Sequence, residues 1–165
     1  MPDARPDSLA PDSLAAVAAL SPIDGRYRAA TEPLRDLLSE AGLIRERVRI
    51  EAAWLLHLAA AVPHLAGAAL APAAITRARE LARQPDEDCA QSVKTIEAVI
   101  NHDVKAVEYY VRQQLAAAGA GEASLELVHF GCTSEDINNL SYARLLAEAR
   151  RRLAGTLGER TAELA

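Results

Sequence analysis

The sequence has few cysteines, few aromatic residues and no run of β-branched residues. Its two cysteines, Cys89 and Cys132, are too few for a disulfide framework and stand in no CxxC or Cys/His pattern that would bind zinc. Phenylalanine and tryptophan occur once each in 165 residues, whereas Ala, Leu, Glu and Arg are abundant. Because strands favour β-branched and aromatic residues, the composition predicts an all-α fold. The lack of a zinc-ligand pattern predicts that it has no metal site.

The sequence also lacks an excess of basic residues and any long apolar run. Its formal net charge is −5, which argues against general binding to nucleic acid or anionic membranes because both need a basic surface. No apolar run approaches the roughly 20 residues of a membrane span. The N-terminus has acids and prolines where a signal peptide has an apolar core: MPDARPDSLAPDSLAAVAAL. These absences predict a cytoplasmic protein with reduced thiols.

Hydrophobic spacing divides the chain into helices and connections. Residues 1–18 contain the tandem PDSLAPDSLA and are expected to be a disordered tail. A first helix is expected from about Pro33 to Gly42, because proline suits a first helical turn. A second, of about four turns, is predicted by a stripe with 3.6-residue spacing: Ile44, Val48, Ala52, Leu55 and Ala59. After an Ala/Pro-rich connection at 61–74, further helices are predicted over 72–83, 92–100, 104–118 and 134–165.

The last predicted helix is the longest, roughly 45 Å at 1.5 Å per residue. Its apolar face consists of Tyr142, Leu146, Ala149, Leu153, Leu157 and Leu164. A helix of this length needs a bundle to bury that face. We therefore expect an N-terminal helical domain over 19–131, followed over 132–165 by the first long helix of an incomplete bundle. We interpret the chain as the N-terminal piece of a larger protein.

The stretch HFGCTSEDINNLSY at 129–142 combines a thiol, two hydroxyls and two acids. Thr133 or Ser134 can cap a helix, and the two acids that follow then lie in the first turn, where the helix dipole favours them. If one hydroxyl is the cap, the other hydroxyl and the first-turn N–H groups can bind a ligand carboxylate. A nucleophilic Cys132 would need a base and an orienting group within reach, so we prefer a small buried thiol.

Two other turns carry candidate ligand-binding groups. His102 lies between Asn101 and Asp103 at a helix start, where N–H groups and an imidazole can bind an anion or transfer a proton. An ordinary capping turn, with Asp103 as the cap, is the alternative. Arg26 and Tyr27 follow a tight turn and together suit a phosphate, although most such pairs are ordinary surface residues.

Three motifs, in this order and at these separations, resemble those of the bacterial adenylosuccinate lyase family of the fumarase/aspartase superfamily: SPIDGRY, KTIEAVINHDVKAVEYY and VHFGCTSEDINNLSYA. The resemblance covers about residues 19–150, which correspond to the N-terminal third of that family. It implies a β-elimination that needs no cofactor: adenylosuccinate gives AMP and fumarate, and the succinylated carboxamide intermediate of purine synthesis is split likewise. A base removes the proton beside a succinyl carboxylate, that carboxylate carries the developing charge, and an acid protonates the leaving nitrogen.

The resemblance also implies three groups of site residues: nucleotide-phosphate contacts, a substrate-binding turn and donors to the substrate carboxylate. In that order they are Arg26 and Tyr27; Asn101, His102 and Asp103; Thr133 and Ser134. Within the turn, His102 is implied to assist catalysis near the leaving group or the phosphate.

The family's main acid and base are expected elsewhere than in these 165 residues. The acid is a histidine in a Thr-His-x-Gln-Pro segment and the base is a serine on a Gly-Ser-Ser-rich loop, and neither segment occurs here. We therefore expect this polypeptide alone to be inactive. Family active sites combine residues from three subunits, which implies a homotetramer for the full-length protein. The alternative is a short helical module that binds or associates without catalysis.

Overall fold

The computed structural model describes residues 17–62 and 70–164, and within these residues it is helical without any β-strand. The helices are α1 (Arg28–Leu38), α2 (Glu40–Ala61), α3 (Pro72–Arg83), α4 (Cys89–Ile100), α5 (Asp103–Ala117), α6 (Glu122–Leu125) and α7 (Ser134–Glu163). The all-α prediction is confirmed for the described residues. The expected disordered tail, apart from its last two residues, and half of the connection at 61–74 lie outside them.

The chain separates into two compact units, Met1–Asp36 and Leu37–Ala165. In the first unit, backbone hydrogen bonds hold the SPIDGRY turn, including one from the Tyr27 N–H to the Pro22 carbonyl at 2.8 Å. Helix α1 follows at Arg28, so the expected start at Pro33 is wrong. The Thr31 N–H donates to the Tyr27 carbonyl, and hydrogen bonding therefore runs from the turn directly into α1. Pro33 lies inside the helix, where it removes one backbone donor.

Helix α2 begins at a serine cap. The Ser39 hydroxyl accepts a hydrogen bond from the Gly42 N–H at 3.2 Å, so Gly42 lies in the first turn of α2 and does not end the preceding helix as expected. The predicted apolar stripe lies on α2, and all its members except Ala59 are buried. The helix is longer than the predicted four turns because Ser39 starts it before the stripe.

In the second unit, α2 contacts α3, α4, α5 and α7. The shared core consists mainly of small aliphatic side chains, among them Val48, Ala52, Ala78, Val107 and Val111. Small side chains allow helices to approach closely, which suits a sequence with few aromatic residues. Helix α3 has the predicted bounds, and α4 begins three residues before its predicted start. The predicted domain boundaries near residues 18 and 131 stay predictions.

Helix α7 packs through one narrow row of side chains. Ile137, Ser141, Leu145 and Ala149 recur every fourth residue and are buried. Of the apolar face predicted from the sequence, Ala149 belongs to this buried row, whereas Leu146, Leu153 and Leu157 are 62%, 55% and 68% exposed. The described part of α7 therefore packs on one face and leaves leucines exposed on another.

Candidate ligand-binding site

A buried arginine on α2 joins two of the segments that carry predicted site residues. Arg47 forms an ion pair with Asp103 at 2.9 Å, and its Nε donates to Asn138 Oδ1 at 2.9 Å. Its side chain is only 7% exposed, and a buried guanidinium of this kind needs such partners. Arg47 therefore ties the start of α5 to the second turn of α7.

The turn Asn101-His102-Asp103 connects α4 to α5. Asn101 has a left-handed backbone (φ 55°) and ends α4, and His102 caps α5 through its ring Nδ1, which accepts from the Lys105 N–H at 3.2 Å. The expectation that Asp103 is the cap is wrong, because Asp103 is the first helical residue and pairs with Arg47. Since Nδ1 of His102 is an acceptor, the neutral ring carries its proton on Nε2.

The exposed imidazole of His102 can therefore offer a hydrogen bond or a proton from Nε2, which answers part of the question raised by the sequence. The capping alternative and the ligand-binding interpretation use different ring nitrogens and are compatible. Burial acts to raise the pKa of Asp103, but the backbone N–H of Val104 and the Arg47 guanidinium outweigh it and lower that pKa. Asp103 is therefore a stable anion at neutral pH.

A cavity of about 530 Å³ lies beside this turn. Its wall includes Arg47, Asn101, His102, Asp103 and Tyr142. The structure thus brings the three predicted residues of the turn to one concave surface, together with an arginine that was not predicted. Neither Thr133 nor Ser134 is part of this wall.

The two hydroxyls at the start of α7 have different partners. Thr133 is the cap: its hydroxyl accepts from the Asp136 N–H at 3.3 Å, and Asp136 Oδ2 accepts from the Thr133 N–H at 2.7 Å. This reciprocal pair is a capping box, and the backbone and hydroxyl donors of Thr133 lower the pKa of Asp136. Among the residues that the structure describes, the half-buried Ser134 has no hydrogen-bond partner for its hydroxyl.

Arg26 and Tyr27 lie in the first unit. The guanidinium carbon of Arg26 is 5.7 Å from the centroid of the Tyr27 ring, and both residues are exposed. A guanidinium and a phenol ring are therefore neighbours on an exposed turn, and their role as a phosphate contact stays a prediction.

A second and larger cavity, of about 670 Å³, contains none of the predicted site residues. Its wall includes Arg49, Trp54, His57 and Arg144 between α2 and α7. Both arginines pair with the buried carboxylate of Glu46, whose single negative charge offsets only one of their two positive charges. We place the candidate site at the smaller cavity because the polar groups of the predicted turn converge there.

Cys132 lacks the features of a nucleophile. Burial raises the pKa of its thiol, and the charges of Glu51 and Asp136 act in the same direction. The ring of His129, three residues earlier in the chain, has its Nδ1 bonded to Glu51. Cys132 packs against Ile50, Val104 and Ile137 as a small apolar side chain, but it is half-buried and not buried as expected.

The buried side of α2 carries charged residues that the sequence patterns did not predict. Arg47 and Glu51 contact predicted site segments or their flanks, and Glu46 binds Arg144 of α7. A signal was present, because Glu51 is seven residues after Ile44 and must lie on the same apolar face of the helix. A charge at such a position is seldom fully buried without a partner.

Within the described residues, no helix is both long and apolar enough to cross a bilayer. In the same part of the chain, no three His, Cys, Asp or Glu side chains form a group that could hold a metal ion.

The chain is similar to curated adenylosuccinate lyases over most of its length. It is 44% identical over 137 residues to the enzymes of Escherichia coli (strain K12) and Vibrio cholerae, and 38% identical over 143 residues to that of Legionella pneumophila (strain Corby). Each alignment covers 83% of this chain and 30% of the relative. No protein-family model matches the chain.

These alignments show that the chain is homologous to an N-terminal region of adenylosuccinate lyases. The resemblance inferred from the three motifs is thereby confirmed. The chain spans about 30% of the length of the curated relatives it matches.

Proposed function

We propose that this chain supplies the N-terminal, substrate-binding part of an adenylosuccinate lyase. The reaction is β-elimination of fumarate from adenylosuccinate, which gives AMP, and from the succinylated carboxamide ribotide of purine synthesis. Homology to enzymes of that name over 137 residues supports the proposal, and so does the convergence of Asn101, His102 and Asp103 on one cavity.

The observation that carries the proposal is that the hydroxyls of Thr133 and Ser134, at the start of α7, differ in their hydrogen bonding. Because Thr133 completes the capping box, the hydroxyl of Ser134 is left for a ligand at the N-terminus of a 30-residue helix. The helix dipole favours an anion at that end, and a hydroxyl donor adds a directed hydrogen bond. A succinyl carboxylate has the charge and shape that such a site would bind.

The remaining residues take roles around that carboxylate. A carboxylate whose charge grows as the neighbouring proton leaves would be stabilised by Ser134, with Thr133 beside it. His102 would assist through Nε2 near the leaving group or the phosphate, while Asn101 and Asp103 hold the turn and the substrate.

Three further parts of the proposal concern the whole protein. Arg26 and Tyr27 would contact the nucleotide phosphate. The principal acid and base would come from segments outside these 165 residues, and no metal or organic cofactor would be needed. We propose a cytoplasmic homotetramer whose subunits share their active sites.

A hybrid enzyme tests the proposal. In it, this chain replaces the 137 residues that it matches in the E. coli relative, and release of fumarate from adenylosuccinate is measured. We expect kcat/KM within about 100-fold of the E. coli parent, because residues of the matched region would supply equivalent contacts. The 165-residue polypeptide alone should show no turnover, since each missing proton-transfer group is worth about 10² to 10⁴ in rate.

A folded tetrameric hybrid without activity would contradict the proposal. If the 165-residue polypeptide then bound AMP or adenylosuccinate without converting it, the non-catalytic helical module would be the better account. Turnover by the purified 165-residue polypeptide, with contamination excluded by an inactive variant, would show that it contains its own acid and base.

A further inference from the structure

One fully buried carboxylate has no role in the proposed reaction. Glu51 on α2 has no exposed surface, and its Oε1 lies 2.5 Å from Nδ1 of His129. Its second oxygen, Oε2, is buried without a hydrogen-bond partner among the described residues. Burial raises the pKa of Glu51 even though His129 opposes this effect. A leucine here would fill the same kind of space without that penalty, so the carboxylate needs another explanation.

The partner of Glu51 lies in a backbone conformation that most residues avoid. His129 has φ 65°, and two residues later Gly131 has φ 75°. Glycine adopts such angles without strain, whereas histidine needs surrounding contacts to hold it there. Between these two residues the chain turns tightly, and the Cys132 N–H donates to the His129 carbonyl at 3.1 Å.

Helix α2 contacts this turn at two adjacent turn residues, His129 and Phe130. One turn beyond Glu51, the Trp54 ring nitrogen donates to the Phe130 carbonyl at 2.8 Å. Cys132, at the end of the turn, packs against Ile50 of the same helix. The turn leads without an intervening residue into Thr133, the cap of α7, and then into Ser134.

We propose that Glu51 and His129 are positioning residues, whose contact fixes the left-handed turn and thereby sets the place of Thr133 and Ser134 at the start of α7. Neither residue needs to touch the ligand. The link from this placement to substrate rests on the proposed function, whereas the placement itself does not.

Other charged groups lie near Glu51 and His129. Glu108 and Lys105 of α5 act on Glu51, and Asp136 of α7 is affected by His129. Glu108 already pairs with Lys105 at 2.8 Å, and Asp136 is held in the capping box. A variant that keeps the shape of Glu51 or His129 therefore changes the contact with little disturbance of these neighbours.

The first arm of the test uses the 165-residue chain and hydrogen exchange measured by NMR at neutral pH. His129→Asn keeps a residue that tolerates a left-handed backbone but removes the imidazole. We expect about tenfold faster exchange at the amides of Cys132, Thr133 and Asp136, each of which donates a hydrogen bond within the turn or the cap. Glu51→Gln keeps an acceptor for the ring N–H and should have a smaller effect than Glu51→Ala.

Asp86→Asn is the matched control, because it removes a carboxylate charge from a different pair. It should speed the exchange of those three amides no more than that of other amides in the chain, because its effect is on global stability. Unchanged exchange in His129→Asn and Glu51→Ala would overturn the proposal, whatever the hybrid enzyme does.

The second arm uses the hybrid enzyme. His129→Asn should lower kcat/KM for adenylosuccinate about tenfold with an unchanged tetramer, and Glu51→Gln should retain most of the activity that Glu51→Ala loses. Faster amide exchange with unchanged kcat/KM would overturn the link to substrate binding. An inactive parent hybrid would contradict the proposed function alone, and the exchange measurements would still decide the positioning role.

Discussion

At the scale of single residues, Thr133 and Ser134 are adjacent hydroxyls with separable tasks. We expect Thr133→Ala to lower the free energy of unfolding by about 1 kcal/mol, because it removes the cap of α7. Ser134→Ala should leave stability nearly unchanged and lower kcat/KM of the hybrid enzyme about 10- to 100-fold. A hydroxyl donor to an ionised carboxylate contributes about 1.5 to 3 kcal/mol. Thermal unfolding and steady-state kinetics on the same two variants measure both effects.

Unchanged kcat/KM in both variants would remove the carboxylate-binding role and leave TSEDINN as a capping sequence. Equal losses of stability in both variants would contradict the assignment of Thr133 as the sole cap.

The two thiols should differ in reactivity although neither forms a disulfide. Cys89 is fully buried, and burial raises its pKa to about 11. Cys132 is half-buried, so we expect iodoacetamide to modify it first and Cys89 only after unfolding, because the thiolate is the reactive form. Intact-mass measurement over time shows the order, with the urea-unfolded chain as control. A native 89–132 bridge, or faster modification of Cys89, would contradict this.

The sequence predicted that a hydroxyl caps the start of α7, but not which of the two hydroxyls does so. Either hydroxyl can cap a helix. That Thr133 is the cap depends on the direction in which the chain leaves the turn at His129. The cap of α5 was assigned to Asp103 because acids are common caps, whereas the buried Arg47 draws Asp103 away and His102 takes its place. Such choices depend on partners distant in sequence.

At the scale of helices, Asp86 ties two elements together from the loop between α3 and α4. Its carboxylate accepts from Arg77 of α3 at 3.2 Å and from the Tyr110 hydroxyl of α5 at 3.1 Å. The hydrogen bond from Arg77 is the main reason that the pKa of Asp86 is lowered. A lowered pKa means that the folded state binds the proton less well than the unfolded state. This stabilisation is therefore present above the unfolded pKa and is lost as the pH falls.

We expect Asp86→Asn to lower the free energy of unfolding by about 1 kcal/mol at pH 7, allowing for the partial exposure of the carboxylate. The difference from the unmodified chain should shrink below about pH 4, where the aspartate becomes protonated. Urea unfolding at a series of pH values measures both quantities. A difference that stays constant with pH would contradict the role of the charge.

Glu51→Gln is the matched comparison, because its sign is opposite. Burial raises the pKa of Glu51, so the folded state loses stability as the pH rises above the unfolded pKa of 4.5 and the carboxylate ionises. The free energy of unfolding of Glu51→Gln minus that of the unmodified chain should therefore be larger at pH 7 than at pH 4. The same pH series therefore separates a stabilising carboxylate from one that is kept despite its cost.

Helix bounds were predictable where local signals act alone. Pro72 starts α3 and polar residues end it, as expected. The bounds of α1 and α2 were not predictable from the pattern around Pro33 and Gly42, because Ser39 is a stronger helix cap than that pattern suggested. Spacing gave the buried stripe of α2, but the buried charges on its edge could be interpreted only once their partners were known.

At the scale of the whole molecule, α2 organises the second unit and α7 extends from it. The all-α fold followed from composition, since little in the sequence favours strands. Which face of α7 packs on α2 did not follow, because two apolar rows run along this helix. The row with Ile137, Leu145 and Ala149 meets α2, and the leucine row is exposed among the described residues.

The exposed leucine row leads us to expect that the chain associates with itself. Leu146, Leu153 and Leu157 are more than half exposed and lie on one side of α7. Contiguous apolar surface of more than a few hundred Å² seldom stays in contact with water, so copies of the chain should bury it against one another. Light scattering over a range of concentrations should show a rising average mass.

Leu153→Glu should shift the chain towards monomer, because a charge in the centre of the row must be desolvated on association. Ala162→Glu is the matched control: it adds the same charge to the same helix, on the side opposite the leucine row, and should leave association unchanged. Far-ultraviolet circular dichroism should show equal helix content in both variants, so that any loss of mass reflects the surface and not the helix. A monodisperse monomer of the unmodified chain, with slow amide exchange along α7, would show that this helix is stable without a partner and would remove the argument for association.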